Sequence, residues 1–175
     1  MARVRGMICT AALGGVLVAL GTSAFGQASN EWPTYGGDYS NTRYSTLDQI
    51  NTGNVSKLKV AWLHSLGTLE TQEATPLVVG DTMYVSTSTG PRYVFALDAK
   101  TGKTKWKYEP ELPSDFMATV CCGLDSRGVA YANGMVFVGT LTARLIALDA
   151  NTGEEKWNVQ VMDYKTGHAI TSPPL

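Results

Sequence analysis

The chain has no surplus of charge of either sign and few charges of any kind. Its 175 residues hold 14 Lys and Arg against 15 Asp and Glu, a formal net charge of −1, and charged residues make up only 17%. A nucleic-acid-binding protein usually carries a basic excess, so that class of partner is excluded. Histidine is scarce: His64 and His168 are the only two, unpaired by pattern, and both read as ordinary strand or loop residues. Three cysteines are present without a Cys-x-x-Cys spacing or a histidine at ligand distance in sequence, which argues against a metal site built on them. Long apolar runs are missing too. The single candidate, Met7 to Leu20, falls short of the ~18 residues that a membrane span needs. With 44% hydrophobic residues, 18 Gly and 7 Pro, the composition is neither disordered nor collagen-like and suits a soluble globular fold.

The apolar run has a different use. Arg3 and Arg5 precede it, and small residues close it at Gly21-Thr22-Ser23-Ala24-Phe25-Gly26. That order predicts a secretory signal peptide over residues 1–26, cleaved before Gln27. Cleavage removes two positive charges and no negative ones, leaving a mature chain of −3 in an oxidising compartment, the bacterial periplasm. Cys9 is lost with the leader, lying too early and without the small-residue lead-in of a lipid-attachment cysteine. Cys121 and Cys122 remain.

What organises the mature chain, residues 27–175, is a repeat. Ala96-Leu97-Asp98-Ala99-Lys100-Thr101-Gly102-Lys103-Thr104-Lys105-Trp106 matches Ala147-Leu148-Asp149-Ala150-Asn151-Thr152-Gly153-Glu154-Glu155-Lys156-Trp157, at an offset of 51 residues. An alternating strand lies upstream of each copy, at Met83–Ser86 and Val136–Gly139, following Gly80-Asp81 or Asn133-Gly134 as a turn. Val94–Leu97 and Lys105–Tyr108 supply the later strands of the first unit. Asp-x-x-Thr-Gly sets side-chain acceptors and a φ-tolerant glycine in a tight turn, after which the tryptophan is expected to start the next strand. Asp98 and Asp149 are therefore structural, not catalytic. Four short antiparallel strands cannot bury both faces of their own sheet, so units of ~40–50 residues must stack on copies of themselves, as β-propeller blades do. Lys59-Val60-Ala61-Trp62-Leu63 reads as the outer strand of an earlier unit. Thr171-Ser172-Pro173-Pro174-Leu175 restarts the phrase seen at Ala74-Thr75-Pro76-Leu77. The expectation is an all-β protein with the first two to three four-stranded antiparallel blades of a longer propeller.

Between the matched units lies Val120-Cys121-Cys122-Gly123-Leu124-Asp125-Ser126-Arg127-Gly128. Ordinary disulfides join Cα atoms ~4.4–6.8 Å apart, whereas chain neighbours are ~3.8 Å apart. A bond between the two cysteines would close a minimal ring with almost no loop-entropy gain, and would serve as a stiff apolar plate for a planar ligand. Two buried reduced cysteines, or a metal pair, are the other readings open to the pair itself.

The whole mature chain resembles the N-terminal part of pyrroloquinoline-quinone (PQQ)-dependent alcohol dehydrogenases of the methanol/ethanol type. The resemblance rests on Trp32-Pro33-Thr34-Tyr35-Gly36-Gly37-Asp38, Asn41-Thr42-Arg43-Tyr44-Ser45, Gln49-Ile50-Asn51, Lys57-Leu58-Lys59-Val60-Ala61-Trp62, both repeat copies, and above all Cys121-Cys122 with Arg127 and Gly128. It implies an eight-bladed propeller with PQQ on its axis. It also implies that Cys121 and Cys122 form a disulfide stacked on the quinone, and that Arg127 pairs with a cofactor carboxylate. Glu73, in Thr71-Gln72-Glu73-Ala74-Thr75-Pro76, would hydrogen-bond the cofactor, and Thr171 would reach another of its oxygens. In that family a Ca²⁺ or lanthanide ion acts as Lewis acid and an aspartate takes the proton of a primary alcohol. Electrons then pass to a cytochrome c. The metal ligands and that aspartate are expected beyond residue 175, leaving this stretch inactive alone. A cofactor-free propeller serving as a binding scaffold, as in outer-membrane assembly lipoproteins, is the alternative. It would lack the cysteine pair with its trailing arginine and would carry a lipidated cysteine.

Overall fold

The computed structural model describes residues 31–69, 72–88, 92–120 and 123–174. The expected signal peptide and the Cys121–Cys122 pair lie outside the described residues. Among the described residues, eight strands form two four-stranded antiparallel sheets, each in simple sequence order. The first contains β1 (Leu77–Val79), β2 (Thr82–Ser86), β3 (Val94–Asp98) and β4 (Thr104–Tyr108). The second contains β5 (Ala130–Ala132), β6 (Met135–Gly139), β7 (Arg144–Asp149) and β8 (Glu155–Gln160). Three single 3-10 turns, at Val55–Lys57, Phe116–Ala118 and Tyr164–Thr166, are the only helical elements among the described residues. No helix there is long and apolar enough to cross a membrane.

Both hairpin signals are used as expected. Gly80 has φ of 60°, while Asn133 and Gly134 have φ of 50° and 73°, the left-handed pair that a tight hairpin favours. The two sheets then repeat each other in detail. Ala96 pairs with Trp106 and Ala147 with Trp157, and each third-to-fourth strand pairing slips register one residue later. The tryptophans therefore sit in the middle of the fourth strand, not at its start. Register explains this: the five-residue turn returns the chain so that Thr104 and Glu155 face Leu97 and Leu148 first.

The repeated turn is closed from inside. Asp98 Oδ1 accepts from the amides of Lys100 and Thr101 (3.1 and 2.8 Å) and from the Thr101 hydroxyl (2.8 Å). Asp149 Oδ1 accepts from Asn151 and Thr152 amides, both at 3.0 Å. The Thr101 hydroxyl and amide hold the Asp98 carboxyl below the usual carboxylate range, and the Thr152 amide does the same for Asp149.

On the outside of this turn, the preceding tryptophan docks. Trp62 Nε1 donates to the Ala99 carbonyl at 3.1 Å, and Trp106 Nε1 donates to the Ala150 carbonyl at 2.9 Å. Gly102 and Gly153 provide the flat landing: a Cβ on either would lie 2.4 Å from Trp62 Cε3 or 2.7 Å from Trp106 Cδ2. Tyr84 adds a second donor to the Ala150 carbonyl, at 3.1 Å. Between the sheets lies the main core, with Tyr84, Val94, Ala96 and Trp106 facing Val136, Val138, Ile146 and Leu148. Trp106 is 8% exposed, whereas Trp157, on the second sheet's outer strand, is 37% exposed among the described residues.

The segment 59–63 is not a strand. Trp62 docks as an outer-strand tryptophan should, yet no neighbouring strand pairs with it among the described residues, so it forms no ladder and leaves Val60 and Leu63 exposed. Residues 171–174 likewise form no strand. The inner edge of β1 is met instead by Trp32, which exchanges backbone hydrogen bonds with Val78 at 2.7 and 2.9 Å.

Removing the docked ring should weaken the fold strongly. Trp106→Ala is expected to cost about 3–5 kcal/mol, and Trp157→Ala about 1–2 kcal/mol, since more than a third of it is already in water; urea midpoints of the two variants check the difference. Acid gives a second test. Carboxyls held below their ordinary range add stability that is present above the unfolded value, near pH ~4, and lost as pH falls through the folded value. The urea midpoint should therefore be flat near neutrality and fall below about pH 4, with part of that fall missing in Asp98→Asn and Asp149→Asn.

Candidate functional site

Three stretches of chain come side by side at one end of the sheets: residues 72–76 leading into β1, residues 123–129 leading into β5, and residues 170–174. Backbone hydrogen bonds join them in a row. The Thr75 amide donates to the Arg127 carbonyl at 3.3 Å, and the Arg127 amide donates to the Thr171 carbonyl at 2.9 Å. The Ile170 amide, bonded to the Thr140 carbonyl at 3.0 Å, ties the third stretch to the second sheet. Gly128 makes the first approach possible. Its φ is 128°, and an added Cβ would stand 3.2 Å from the Thr75 carbonyl oxygen.

That row brings three sequence-predicted site residues together. Arg127 Nε lies 3.2 Å from Glu73 Oε2, and Arg127 Nη2 lies 3.3 Å from Asp125 Oδ2. The guanidinium is 43% exposed, Glu73 38% and Asp125 20%. Thr171 contributes its carbonyl to Arg127, and its half-buried hydroxyl has no hydrogen-bond partner among the described residues. Cys121 and Cys122, the remaining two candidates, lie outside the described residues.

Beneath the charged cluster is a buried polar floor. Ser86 Oγ and Ser126 Oγ are 2.9 Å apart, both almost fully buried, and Gln72 Nε2 donates to the Ser86 carbonyl at 2.7 Å. This links the end of β2 to the residue beside Arg127. The second-to-third strand loops are clamped alike in both sheets. Thr87 Oγ1 accepts from the Tyr93 amide at 2.9 Å, and Thr140 Oγ1 accepts from the Arg144 amide at 3.1 Å. Sequence reasoning missed Asp125, Ser126, Gln72 and both threonines. The threonines did leave a signal, since each directly follows a matched strand at Val85-Ser86 and Val138-Gly139.

Neither histidine, both read from the sequence as ordinary strand or loop residues, belongs to the cluster. His64 Nδ1 meets the Gly102 carbonyl at 3.1 Å, so that nitrogen carries the proton, and its ring packs edge-on to Phe95. His168 Nδ1 bonds the Thr166 hydroxyl at 2.8 Å. A cavity of about 480 Å³ is lined by Glu111, Thr142, Arg144, Gln160 and Tyr164 among others, and shares no residue with the charged cluster. Its Arg144 is consumed in bracing β7 against β8, donating to Asn158 Oδ1 (2.6 Å) and Gln160 Oε1 (2.8 Å). No group of three metal-ligating side chains occurs among the described residues.

Chemically, the site offers a partly exposed guanidinium whose Nη1 has no partner among the described residues, a carboxylate acceptor and a hydroxyl. Planar anions suit such a donor set. Residues 32–159 match the family model described as the glucose/ethanol/alcohol dehydrogenase β-propeller domain. The lanthanide-dependent methanol dehydrogenase of Methylacidiphilum fumariolicum is 49% identical over 147 residues, which are 83% of this chain and 24% of that protein. The dehydrogenase subunit of the quinone alcohol dehydrogenase of Gluconobacter oxydans is 47% identical over 152 residues, 86% of this chain and 20% of that protein. Among solved structures, a europium-containing methanol dehydrogenase superposes with a TM-score of 0.77 at 48% identity, covering 82% of this chain and 25% of that one. The chain thus spans about a quarter or less of the length of these relatives.

Gly128→Ala should push the first two stretches apart. Positive φ and the Thr75 contact together are expected to cost more than about 1 kcal/mol in urea unfolding. Amide exchange at Thr75 and Arg127 should speed up relative to Gly134→Ala, whose site has no atom within 4 Å.

Proposed function

The chain belongs to the PQQ glucose/ethanol/alcohol dehydrogenase β-propeller family, and from that premise we propose that its blades hold one side of a PQQ site in a quinoprotein that oxidises primary alcohols to aldehydes. The observation that carries this reading is the meeting of Arg127, Glu73 and Thr171 at one sheet end. These residues fit the group. PQQ is a flat, carboxylate-bearing quinone, and the cluster presents a guanidinium in part-open solvent, a carboxylate that can accept a hydrogen bond, and a hydroxyl without a partner among the described residues. When bound, PQQ supplies the two-electron acceptor for alcohol oxidation.

The chain's own residues then bind and orient. Arg127 would receive a carboxylate, its backbone fixed on both sides by Thr75 and Thr171 so that the side chain starts from a set position. Glu73 would accept from the ligand rim, and Thr171 Oγ1 would donate to an oxygen. Cys121 and Cys122, oxidised to a vicinal disulfide, would lie flat against the ring. A signal peptide over residues 1–26 would deliver the chain to the periplasm, where that oxidation is favoured. Ca²⁺ or a lanthanide would be the accompanying ion and a cytochrome c the electron acceptor. The eight-bladed ring and the ion's ligands belong to this proposal as well, with residues 27–175 as the N-terminal part of that propeller.

Equilibrium dialysis of the full chain against PQQ, with Ca²⁺ or La³⁺ present and bound quinone read by absorbance, tests the reading. Binding is expected in the parent. Arg127→Ala should weaken it roughly 10- to 100-fold, the worth of a charge-assisted hydrogen bond. No retained quinone in the parent at any concentration would discard the cofactor reading in favour of a cofactor-free scaffold.

A further inference from the structure

An anion-receiving arginine should have its fork free, yet Arg127 already faces two carboxylates. Glu73 approaches Nε at 3.2 Å and Asp125 approaches Nη2 at 3.3 Å, while Nη1 has no partner among the described residues. One guanidinium and two carboxylates sum to −1, a balance that repels an incoming carboxylate instead of drawing it in. The two contacts are not equivalent. Asp125 makes a hydrogen bond to Nη2, whereas Glu73 meets Nε at ion-pair distance only. Asp125 also stands two residues from Arg127 in the same stretch, so its contact needs no other part of the fold.

We propose that Asp125 is a resident counter-ion that holds Arg127 Nη2 until a ligand carboxylate displaces it, and so sets the affinity of this site for an anionic cofactor. The proposal rests on the cofactor reading above. Once Asp125 leaves, Nη1 and Nη2 form the end-on fork that a carboxylate takes with two hydrogen bonds, and Glu73 stays on Nε. The exchange is competitive: one carboxylate departs as another arrives, and the guanidinium is never left uncompensated. Affinity is lowered by the strength of the pair that must be broken. For a pair exposed to this degree that is a few-fold effect, screened by salt.

Asp125→Asn keeps the size of the side chain and removes its charge; Asp125→Ala removes both. Dialysis of the full chain against PQQ should show both variants binding about two- to fivefold tighter than the parent, with the gain shrinking at high salt. Without any ligand, phenylglyoxal should modify Arg127 faster in both variants, read by peptide mass spectrometry. Near-UV circular dichroism establishes that each is folded, and Asp125→Asn carries the test if Asp125→Ala does not fold. Equal or weaker PQQ binding by the variants, with the parent still binding, would overturn the proposal and leave the cofactor reading intact, because Asp125 would then brace Arg127. If no chain binds PQQ, the parent included, the cofactor reading falls and takes the proposal with it. Unchanged phenylglyoxal labelling would overturn it independently of PQQ.

Discussion

One contact recurs through this chain and positions everything else: an indole N–H donated across to the carbonyl at the shoulder of the next Asp-x-x-Thr-Gly turn. Trp62 reaches Ala99, and Trp106 reaches Ala150. Tryptophan suits this place because it brings a large apolar face together with one donor that must be satisfied when buried. The turn answers both needs. Its glycine removes the Cβ that would otherwise strike the ring, and its second residue turns a carbonyl outward. Neither partner is useful alone, so each unit is completed by its neighbour.

Locking the outer strand of one unit to the following turn also fixes how the inner ends meet. Tyr84 joins Trp106 on the Ala150 carbonyl, so the second strand and the fourth strand of the first sheet share one anchor on the second. At the far end of the strands, Thr75, Arg127 and Thr171 fall into hydrogen-bonding sequence. The charged cluster is therefore assembled from stretches about fifty residues apart, with backbone bonds and not side-chain packing setting their spacing. Ser86 and Ser126 stiffen the floor below it. Rigid scaffold outside and polar side chains at a part-open mouth is the arrangement in which binding groups are held on connecting segments.

Much of this was readable from residues. Repetition of A-L-D-A-x-T-G-x-x-K-W implied stacked four-stranded units, and both hairpin turns were marked by Gly or Asn-Gly. Glu73, Arg127 and Thr171 are legible as candidates from their local motifs, and the fold brings them to one sheet end. The inner strands β1 and β5 were harder: at three residues each, Leu77–Val79 and Ala130–Ala132 are too short to show alternation. Segment 59–63 misled, because its short apolar run ending in Trp62-Leu63 is strand-like, while a ladder requires a partner that the described residues do not provide. Asp125 was invisible for a different reason. Nothing in Leu-Asp-Ser-Arg says whether an aspartate two positions from an arginine points toward it or to water, since a strand would send both to one face and a turn would not.

Carboxylates in this chain separate into two kinds by who donates to them, and that separation decides which can take part in binding. Asp98 and Asp149 are held at Oδ1 by donors of their own turn, which favour the ionised form and tie each carboxylate into that turn. Asp38 is similar, filled by the Thr42 amide and hydroxyl. Glu73 and Asp125 receive no backbone amide among the described residues; what they face is a movable guanidinium. A carboxylate tied into a turn cannot exchange partners without unmaking the turn, whereas one paired only to an arginine side chain can exchange at the cost of that single contact. The acidic residues that look most conspicuous in the repeat are thus the ones least free to act, and those beside Arg127 are the ones whose partner a ligand can take.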